Sequence, residues 1–237
     1  MRALFLSILY LSILPACFAG VRHFGFIYEA PTSAPGSFEL ENTITSKDGD
    51  EVAFRHEIEI GLTDHFQASV YFADWSWTES RTHYDDAAVE LIYNFTNPVI
   101  DPVGLSIYQE IRGGENFIEW ESKVIAQKNI GRFIFAYNVT LEAVWEGERL
   151  AEREGEFSNA IGASYEFSPR FSAGVELLHE CVFPEWRDAE KIRNVFVGPN
   201  ICYRHANWFV TVSALAQATS TPDEAEVQVR AIFGIGL

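Results

Sequence analysis

Residues 227–237 read VQVRAIFGIGL, and the two kinds of side chain in this stretch alternate without a break. One row is apolar: Val227, Val229, Ala231, Phe233, Ile235 and Leu237. The other row is mostly polar or very small: Gln228, Arg230, Ile232, Gly234 and Gly236. A period of two places the rows on opposite faces of a strand, and about eleven residues is the length with which a tilted strand crosses a bilayer. The stretch therefore predicts a membrane-spanning strand that helps to close a β-barrel.

The other end of the chain predicts export. Residues 1–19 contain an early Arg2, an apolar run and small residues before a cleavage point after Ala19, which is the pattern of a signal peptide. An alternative interpretation is a lipoprotein acylation box that ends at Cys17, which would then be lipidated. No later run reaches the roughly 18 to 20 apolar residues that a membrane helix requires. An exported chain of this kind is either a soluble β protein or an outer-membrane barrel.

Turn signals divide the remainder into about twelve alternating segments. Short links, such as residues 62–65 and 129–132, take turns with longer and more acidic links, such as residues 74–80 and 147–156. Outer-membrane barrels have short periplasmic turns and longer external loops, so this rhythm predicts that both termini lie in the periplasm.

The predicted organisation has three parts. Residues 1–19 form the signal peptide, residues 20–36 an extended N-terminal leader, and residues 37–237 an all-β, antiparallel transmembrane barrel of about twelve strands. The alternative fold is a soluble sandwich or lipocalin-like barrel, in which the apolar rows would point inward to a dry core.

Charge and cysteine content exclude some classes of function. The formal net charge is −17, and a nucleic-acid-binding surface needs clustered Lys and Arg, so nucleic acid is not an expected partner. Cys181 and Cys202 fall near opposite ends of neighbouring predicted strands, beyond the roughly 7 Å Cα separation of a disulfide, and are expected to be free thiols.

Several motifs resemble a family of bacterial outer-membrane barrels of unknown function and, more loosely, barrels that act as outer-membrane transporters. They are the stretches Phe38 to Glu41, Glu57 to Gln67, Gln127 to Asn129 and Ala136 to Asn138. The most repeated piece is a strand that ends in Gly-Leu-Thr-Asp before an aromatic-led strand. Such a periplasmic hairpin implies topology rather than activity, and the resemblance implies no catalytic residues.

The row that faces the predicted lumen is rich in carboxylates. Candidate lumen and selectivity residues are Glu39, Glu41, Arg55, Glu57, Glu59, Glu110, Glu119, Glu121, Lys123 and Arg230. If the first hairpin folds about residue 49, Glu39 lies opposite Glu59 and Glu41 opposite Glu57. Stacked like charges repel unless water, a cation or basic side chains compensate. Two interpretations remain open: a structural polar network that fills a narrow barrel, and a water-filled constriction that prefers cations.

The same hairpin places Asn42 opposite His56 on the face that should meet lipid. A polar pair in hydrocarbon is costly unless its members bond to each other or to a partner. The pair predicts either a subunit contact or a register different from this one, because a shift of one residue turns a whole row to the other face.

Taken together, these patterns predict a small diffusion channel in the bacterial outer membrane for cations or small neutral solutes. The alternatives are a structural or binding barrel without transport and, less favoured, a lipid-active barrel enzyme, since no Ser accompanies a His in a strand motif. We expect no enzymatic activity, cofactor or metal site. Expected partners are outer-membrane lipid, the barrel-assembly machinery during biogenesis, and small solutes or divalent cations.

Overall fold

The computed structural model describes residues 22–78, 81–187, 191–222 and 224–237. The predicted signal peptide, with Cys17, lies outside these residues. Among them, no helix is both long and apolar enough to cross a membrane. Their regular structure is a 14-stranded antiparallel sheet with one short 3₁₀ turn at Glu148–Leu150.

The strands follow the chain in order. They are β1 (Phe38–Lys47), β2 (Glu51–Thr63), β3 (Phe66–Tyr71), β4 (Trp75–Thr78), β5 (Arg81–Tyr84), β6 (Asp86–Asn94), β7 (Gly104–Gly114), β8 (Phe117–Ile130), β9 (Phe133–Glu146), β10 (Glu152–Ser168), β11 (Phe171–Pro184), β12 (Ile192–His205), β13 (Trp208–Gln217) and β14 (Val227–Gly236).

Fourteen segments make twelve barrel strands because two strands are interrupted. β2 pairs with β3 along one half and with β4 along the other, while β4 pairs with β5 and β3 with β6. Therefore β3 and β4 together form one barrel strand with a break, and β5 and β6 together form another. β1 pairs with both β2 and β14 and closes the cylinder. The predicted antiparallel barrel of about twelve strands is confirmed.

Two predicted loops are shorter than the sequence suggested. Residues 74–80 contain β4, in which Trp75 faces Tyr84 of β5 across the hairpin with ring centroids 5.5 Å apart. Aromatic cross-strand pairs of this kind stabilise a hairpin, so the strand continues where turn residues predicted a loop. The acidic link at 147–156 likewise ends early, because β10 begins at Glu152.

The alternation at the end of the chain is confirmed. In β14, Val227, Val229 and Phe233 are exposed on the outside, whereas Gln228 and Ile232 are buried inside. Large apolar side chains are uncovered around the whole wall, and Leu141, Val175 and Val124 are 57%, 56% and 53% exposed, respectively. An apolar surface of this extent on a closed barrel is the surface that lipid covers.

The polar pair on this outer face is satisfied within the protein. Asn42 and His56 are opposite each other in the β1–β2 register, as predicted. Asn42 Oδ1 lies 2.8 Å from His56 Nδ1, and the His56 ring packs beside Phe72 at 6.1 Å. The internal hydrogen bond offsets much of the desolvation that the pair would suffer in lipid, so the register is right and no subunit contact is needed to explain it.

Residues 22–36 lie inside the barrel, and we call this segment the plug. Phe24 and Ile27 are fully buried against apolar side chains that point inward from the wall, among them Ile134, Leu178 and Phe196. Further along, Ala30 and Tyr28 pack on Ile92, Tyr108 and Ile125. The sequence predicted an extended leader here but not its position in the lumen.

Candidate functional site: the barrel lumen

Inward-pointing polar side chains hold the backbone of the plug. The Glu176 carboxylate accepts hydrogen bonds from the amides of Gly25 and Phe26 at 2.9 and 2.8 Å. Amide side chains on other strands accept from three further plug residues: Asn138 from Tyr28 at 2.7 Å, Gln127 from Ala30 at 2.7 Å and Gln67 from Ser33 at 2.8 Å. Buried backbone groups need such partners, so four wall strands fix the path of the plug.

Two glycines let the plug approach the wall. A Cβ atom at Gly25 would lie 2.5 Å from Ser213 Oγ, and one at Gly162 would lie 2.6 Å from the Cδ1 of Ile27. Any larger side chain at either position would therefore push the plug away from its seat.

The plug has a sizeable cavity on each of its two sides. The larger has a volume of about 410 Å³ and is lined by residues near the longer links, such as Lys47, Glu119 and Glu156. The smaller has a volume of about 130 Å³ and is lined by residues near the short turns, such as Glu39 and Gln67. We call them the loop-side cavity and the turn-side cavity. Arg22 and Tyr28 line both cavities and therefore separate them.

Charged and aromatic groups build this partition, which we call the septum. Arg22 Nη1 donates to Glu41 Oε1 at 2.8 Å, and the guanidinium lies 4.3 Å from the centroid of the Tyr28 ring. Lys123 Nζ lies over the same ring at 4.2 Å, and the Tyr28 hydroxyl donates to Glu90 at 3.3 Å. The septum therefore lies at the boundary between the two cavities.

A row of acidic side chains runs along the wall from one cavity to the other, and we call it the carboxylate row. In cross-strand register it contains Glu156, Glu142, Glu121, Glu110, Glu90, Ser69, Glu59 and Glu39. Side chains that are directly opposite have Cβ atoms about 4.5 to 5.5 Å apart. One end of the row lines the loop-side cavity and the other lines the turn-side cavity.

Compensation of these charges is uneven along the row. Glu110 is bound by Arg55 Nη2 at 3.2 Å, by Arg112 Nη2 at 3.0 Å and by the Tyr108 hydroxyl at 2.9 Å. Within the described ranges, Glu142 and Glu156 have neither a hydrogen bond nor an ion pair. The middle of the row is therefore neutralised by arginine, whereas Glu142 and Glu156 at its loop-side end have no basic partner among the described residues.

The ten candidates taken from the sequence all lie on inward-facing rows of the wall. The hairpin register is as predicted, with Glu39 opposite Glu59 and Glu41 opposite Glu57. Glu41 and Glu57 are buried and, among the described residues, Glu41 Oε2 and Glu57 Oε1 have no hydrogen-bond partner. Their role in selectivity stays a prediction. Cys181 and Cys202 are free and buried, as expected.

The residues that hold the plug were missed as a group. Glu176 was only one carboxylate among many, and Asn138, Gln127 and Gln67 carried no signal of their own. The sequence did contain a signal for a segment inside the barrel: Phe196 and Leu215 interrupt the otherwise polar rows that point inward. Large apolar side chains inside a barrel need an apolar partner there, and the aromatic leader supplies it.

His23 holds the plug at the turn end. Its backbone amide donates to Glu29 Oε2 at 2.7 Å, its Nδ1 lies 3.0 Å from Glu29 Oε1, and its Nε2 lies 3.7 Å from Glu166, which also binds Arg204. Burial alone would lower the pKa of His23, but the neighbouring Glu29 carboxylate raises it above the usual value. The imidazolium form is therefore favoured in the docked plug.

We expect docking of the plug to weaken as the pH rises. Because the pKa of His23 is raised in the folded state, its stabilising contribution is fully present below the unfolded pKa of about 6.5 and is lost as the pH rises through the folded value. A nitroxide label on Thr32→Cys should become more mobile across that interval. A His23→Gln variant should not show the transition, and a wild-type spectrum that is independent of pH would contradict the assignment.

A family model matches residues 16–228, which is most of the chain. The chain belongs to DUF6662, a family of unknown function. This membership confirms the resemblance to barrels of unknown function that the motifs indicated. The comparison with curated proteins yields no match.

Solved outer-membrane proteins share the fold of this DUF6662 chain. The COG4313 outer membrane channel from Pseudomonas putida F1 has a TM-score of 0.61 at 10% identity, with 88% of this chain and 98% of that chain covered. The NanC porin has a TM-score of 0.58 at 10% identity, with 84% and 98% covered. The KdgM porin has a TM-score of 0.56 at 10% identity, with 84% and 99% covered. The DUF6662 chain is thus similar in fold to bacterial outer-membrane porins and channels.

Proposed function

We propose that this protein is a narrow diffusion channel of the bacterial outer membrane that passes small cations and small neutral solutes. The observation that carries the proposal is the carboxylate row, which connects the two cavities past the septum. Carboxylates that line a narrow lumen favour cations over anions. The similarity in fold to porins and to an outer membrane channel supports transport over an enzymatic role.

The plug sets the size of the solutes. It occupies much of the lumen, and the turn-side cavity of about 130 Å³ limits what can leave on that side. We therefore propose a low conductance and a cut-off at small molecules. With the short turns in the periplasm, as in other outer-membrane barrels, both termini are periplasmic and the loop-side cavity is open to the exterior. Outer-membrane lipid, and the assembly machinery during insertion, are the proposed partners of the outer face.

Ion selectivity in planar bilayers tests the proposal. The purified, folded protein should give small single-channel steps, and its reversal potential in a KCl gradient should show a preference for K⁺. Because Glu59 and Glu142 belong to the row, the Glu59→Gln and Glu142→Gln double variant should lose much of that preference.

A matched control is Glu226→Gln, which removes one carboxylate from the link before β14 and outside the row. It should keep the selectivity of the wild type. Folded protein that gives no channel events would overturn the proposal in favour of a structural or binding barrel. Release of fatty acid from phospholipid vesicles would instead indicate the enzymatic alternative.

A further inference from the structure

We infer that the loop-side cavity binds a small dipolar solute, that is, one with an ammonium-type positive group and a separate carboxylate or similar anionic group. This inference rests on the proposed function and names a class of solute for the channel.

The charge of the cavity is nearly balanced, unlike that of the chain. Seven carboxylates and six cationic side chains line it, although the whole chain has a formal net charge of −17. A site of a single sign would select simple cations or simple anions. A site with both signs favours a molecule that carries both, provided that the two signs occupy different walls.

The acidic wall is formed by consecutive strands. Glu121, Glu142, Glu156 and Glu180 point into the cavity from β8, β9, β10 and β11, respectively. The first three are directly opposite one another in register. Lys123 neutralises Glu121 at 2.5 Å, but within the described part of the chain Glu142 and Glu156 have no such partner. A positive group of a solute would find two uncompensated carboxylates here.

The opposite wall carries the guanidinium of Arg230, which forms no ion pair among the described residues. Arg230 lies on β14, six strands from β8 in the ring of twelve. Its Nε donates to Thr45 Oγ1 at 2.9 Å and its Nη1 to the Gly25 carbonyl at 3.3 Å, while its Cζ lies 4.2 Å from the centroid of the Phe26 ring. Arginine has five N–H donors, so donors remain for an anion. Among the described residues no carboxylate is within ion-pair distance of it.

Lys47 extends the basic wall. It lies on β1, beside β14 and across the barrel from β9, and it lines the same cavity. Glu51 of β2 is opposite Lys47 in register and lines the cavity too, but among the described residues the two side chains form no ion pair. Thr43 and Thr45 of β1 provide neutral hydrogen-bonding groups next to it. An anionic group of a solute would thus meet a stacked, preoriented guanidinium with an ammonium nearby, which is a favourable environment for a carboxylate.

The space between the walls suits a small molecule. The volume of about 410 Å³ lies in the range of roughly 300 to 1,000 Å³ that small-molecule sites occupy. The plug closes the floor with Phe26 and Tyr28, so the middle of the solute would rest on aromatic rings while its charged ends reach the two walls. A short amino acid with separated charges has this combination of features.

Three probes with the same five-carbon chain test the inference. They are 5-aminopentanoate, which is dipolar, 1,5-diaminopentane, which is a dication, and glutarate, which is a dianion. Isothermal titration calorimetry with the folded protein in nanodiscs should show the tightest binding for 5-aminopentanoate. Arg230→Gln should weaken 5-aminopentanoate and glutarate at least tenfold and leave 1,5-diaminopentane unchanged. The Glu142→Gln and Glu156→Gln double variant should weaken 5-aminopentanoate and 1,5-diaminopentane and spare glutarate.

Two further variants keep the test decisive if Arg230→Gln folds poorly. Arg230→Lys retains the charge and should recover part of the affinity, and Lys47→Gln should weaken the two carboxylate probes. A dication that binds as tightly as the dipolar probe, or the absence of binding by all three, would overturn the inference. Calorimetry measures binding independently of conduction, so the two proposals can fail separately. Channel events in planar bilayers without preferential binding of 5-aminopentanoate would refute only the dipolar site. Binding of 5-aminopentanoate without channel events would refute only the channel.

Discussion

Alanine at both Arg22 and Tyr28 is expected to raise the single-channel conductance severalfold. These two side chains line both cavities and form the septum between them. Their removal also frees Glu41, which accepts a hydrogen bond from Arg22 Nη1 at 2.8 Å, so a negative charge is uncovered beside the boundary between the cavities. The lumen should become both wider and more attractive to cations. Single-channel recordings in symmetric KCl measure the first effect, and reversal potentials measure the second.

The control for this variant is Pro35→Ala, which changes the exposed end of the plug and leaves the septum intact. Its conductance should equal that of the wild type. Arg22→Lys should give an intermediate value, since it keeps a cation beside Glu41 but loses the planar group that stacks on Tyr28. Unchanged conductance in the double alanine variant would show that solutes do not pass between the cavities at the septum.

The barrel and much of its register can be predicted from the sequence because an alternation of apolar and polar residues fits few structures other than a β-strand. Once one face of a strand must meet lipid, a shift of one residue would bury every polar side chain in that lipid. This is why the pairing of Asn42 with His56 and of Glu41 with Glu57 could be predicted from a single hairpin turn. The breaks between β3 and β4 and between β5 and β6 could not be predicted, since the turn residues at these positions also fit a loop.

The contents of the lumen were harder to predict. Residues 22–36 have no regular period, and their position depends on contacts with strands that are far away in sequence, such as Gly25 with Glu176. The alternation of apolar and polar residues predicts which side chains point inward, but it does not predict which groups they contact in the lumen. The inward-facing Phe196 and Leu215 form an apolar cluster with Phe24 and Ile27 of the plug, and a segment rich in aromatics next to the first strand was the available partner. The separation of charge between walls likewise depends on closure, which places β14 across from β8.

Glu176→Ala is expected to release the plug from its strongest anchor. The carboxylate is 1% exposed, and it accepts hydrogen bonds from the amides of Gly25 and Phe26, from the Ser213 hydroxyl at 2.5 Å and from Asn200 Nδ2 at 3.0 Å. Alanine leaves these four donors without their acceptor. Hydrogen bonds to a charged group contribute about 1.5 to 3 kcal/mol each, and some donors can find water, so docking should weaken by about 3 kcal/mol.

Hydrogen exchange of the plug amides measures this loss. A change of about 3 kcal/mol corresponds to roughly a hundredfold faster exchange for residues 24–30, since each 1.4 kcal/mol is a factor of ten. Glu180→Ala is the matched control, because Glu180 lies on the same strand and also lines the lumen but makes no hydrogen bond to the plug within the described residues. Glu176→Gln keeps one carbonyl acceptor and should fall between them. The apolar contacts of Phe24 and Ile27 are the same in Glu176→Ala and Glu180→Ala. Equal protection of the plug amides from hydrogen exchange in the two variants would therefore mean that these contacts suffice to hold the plug.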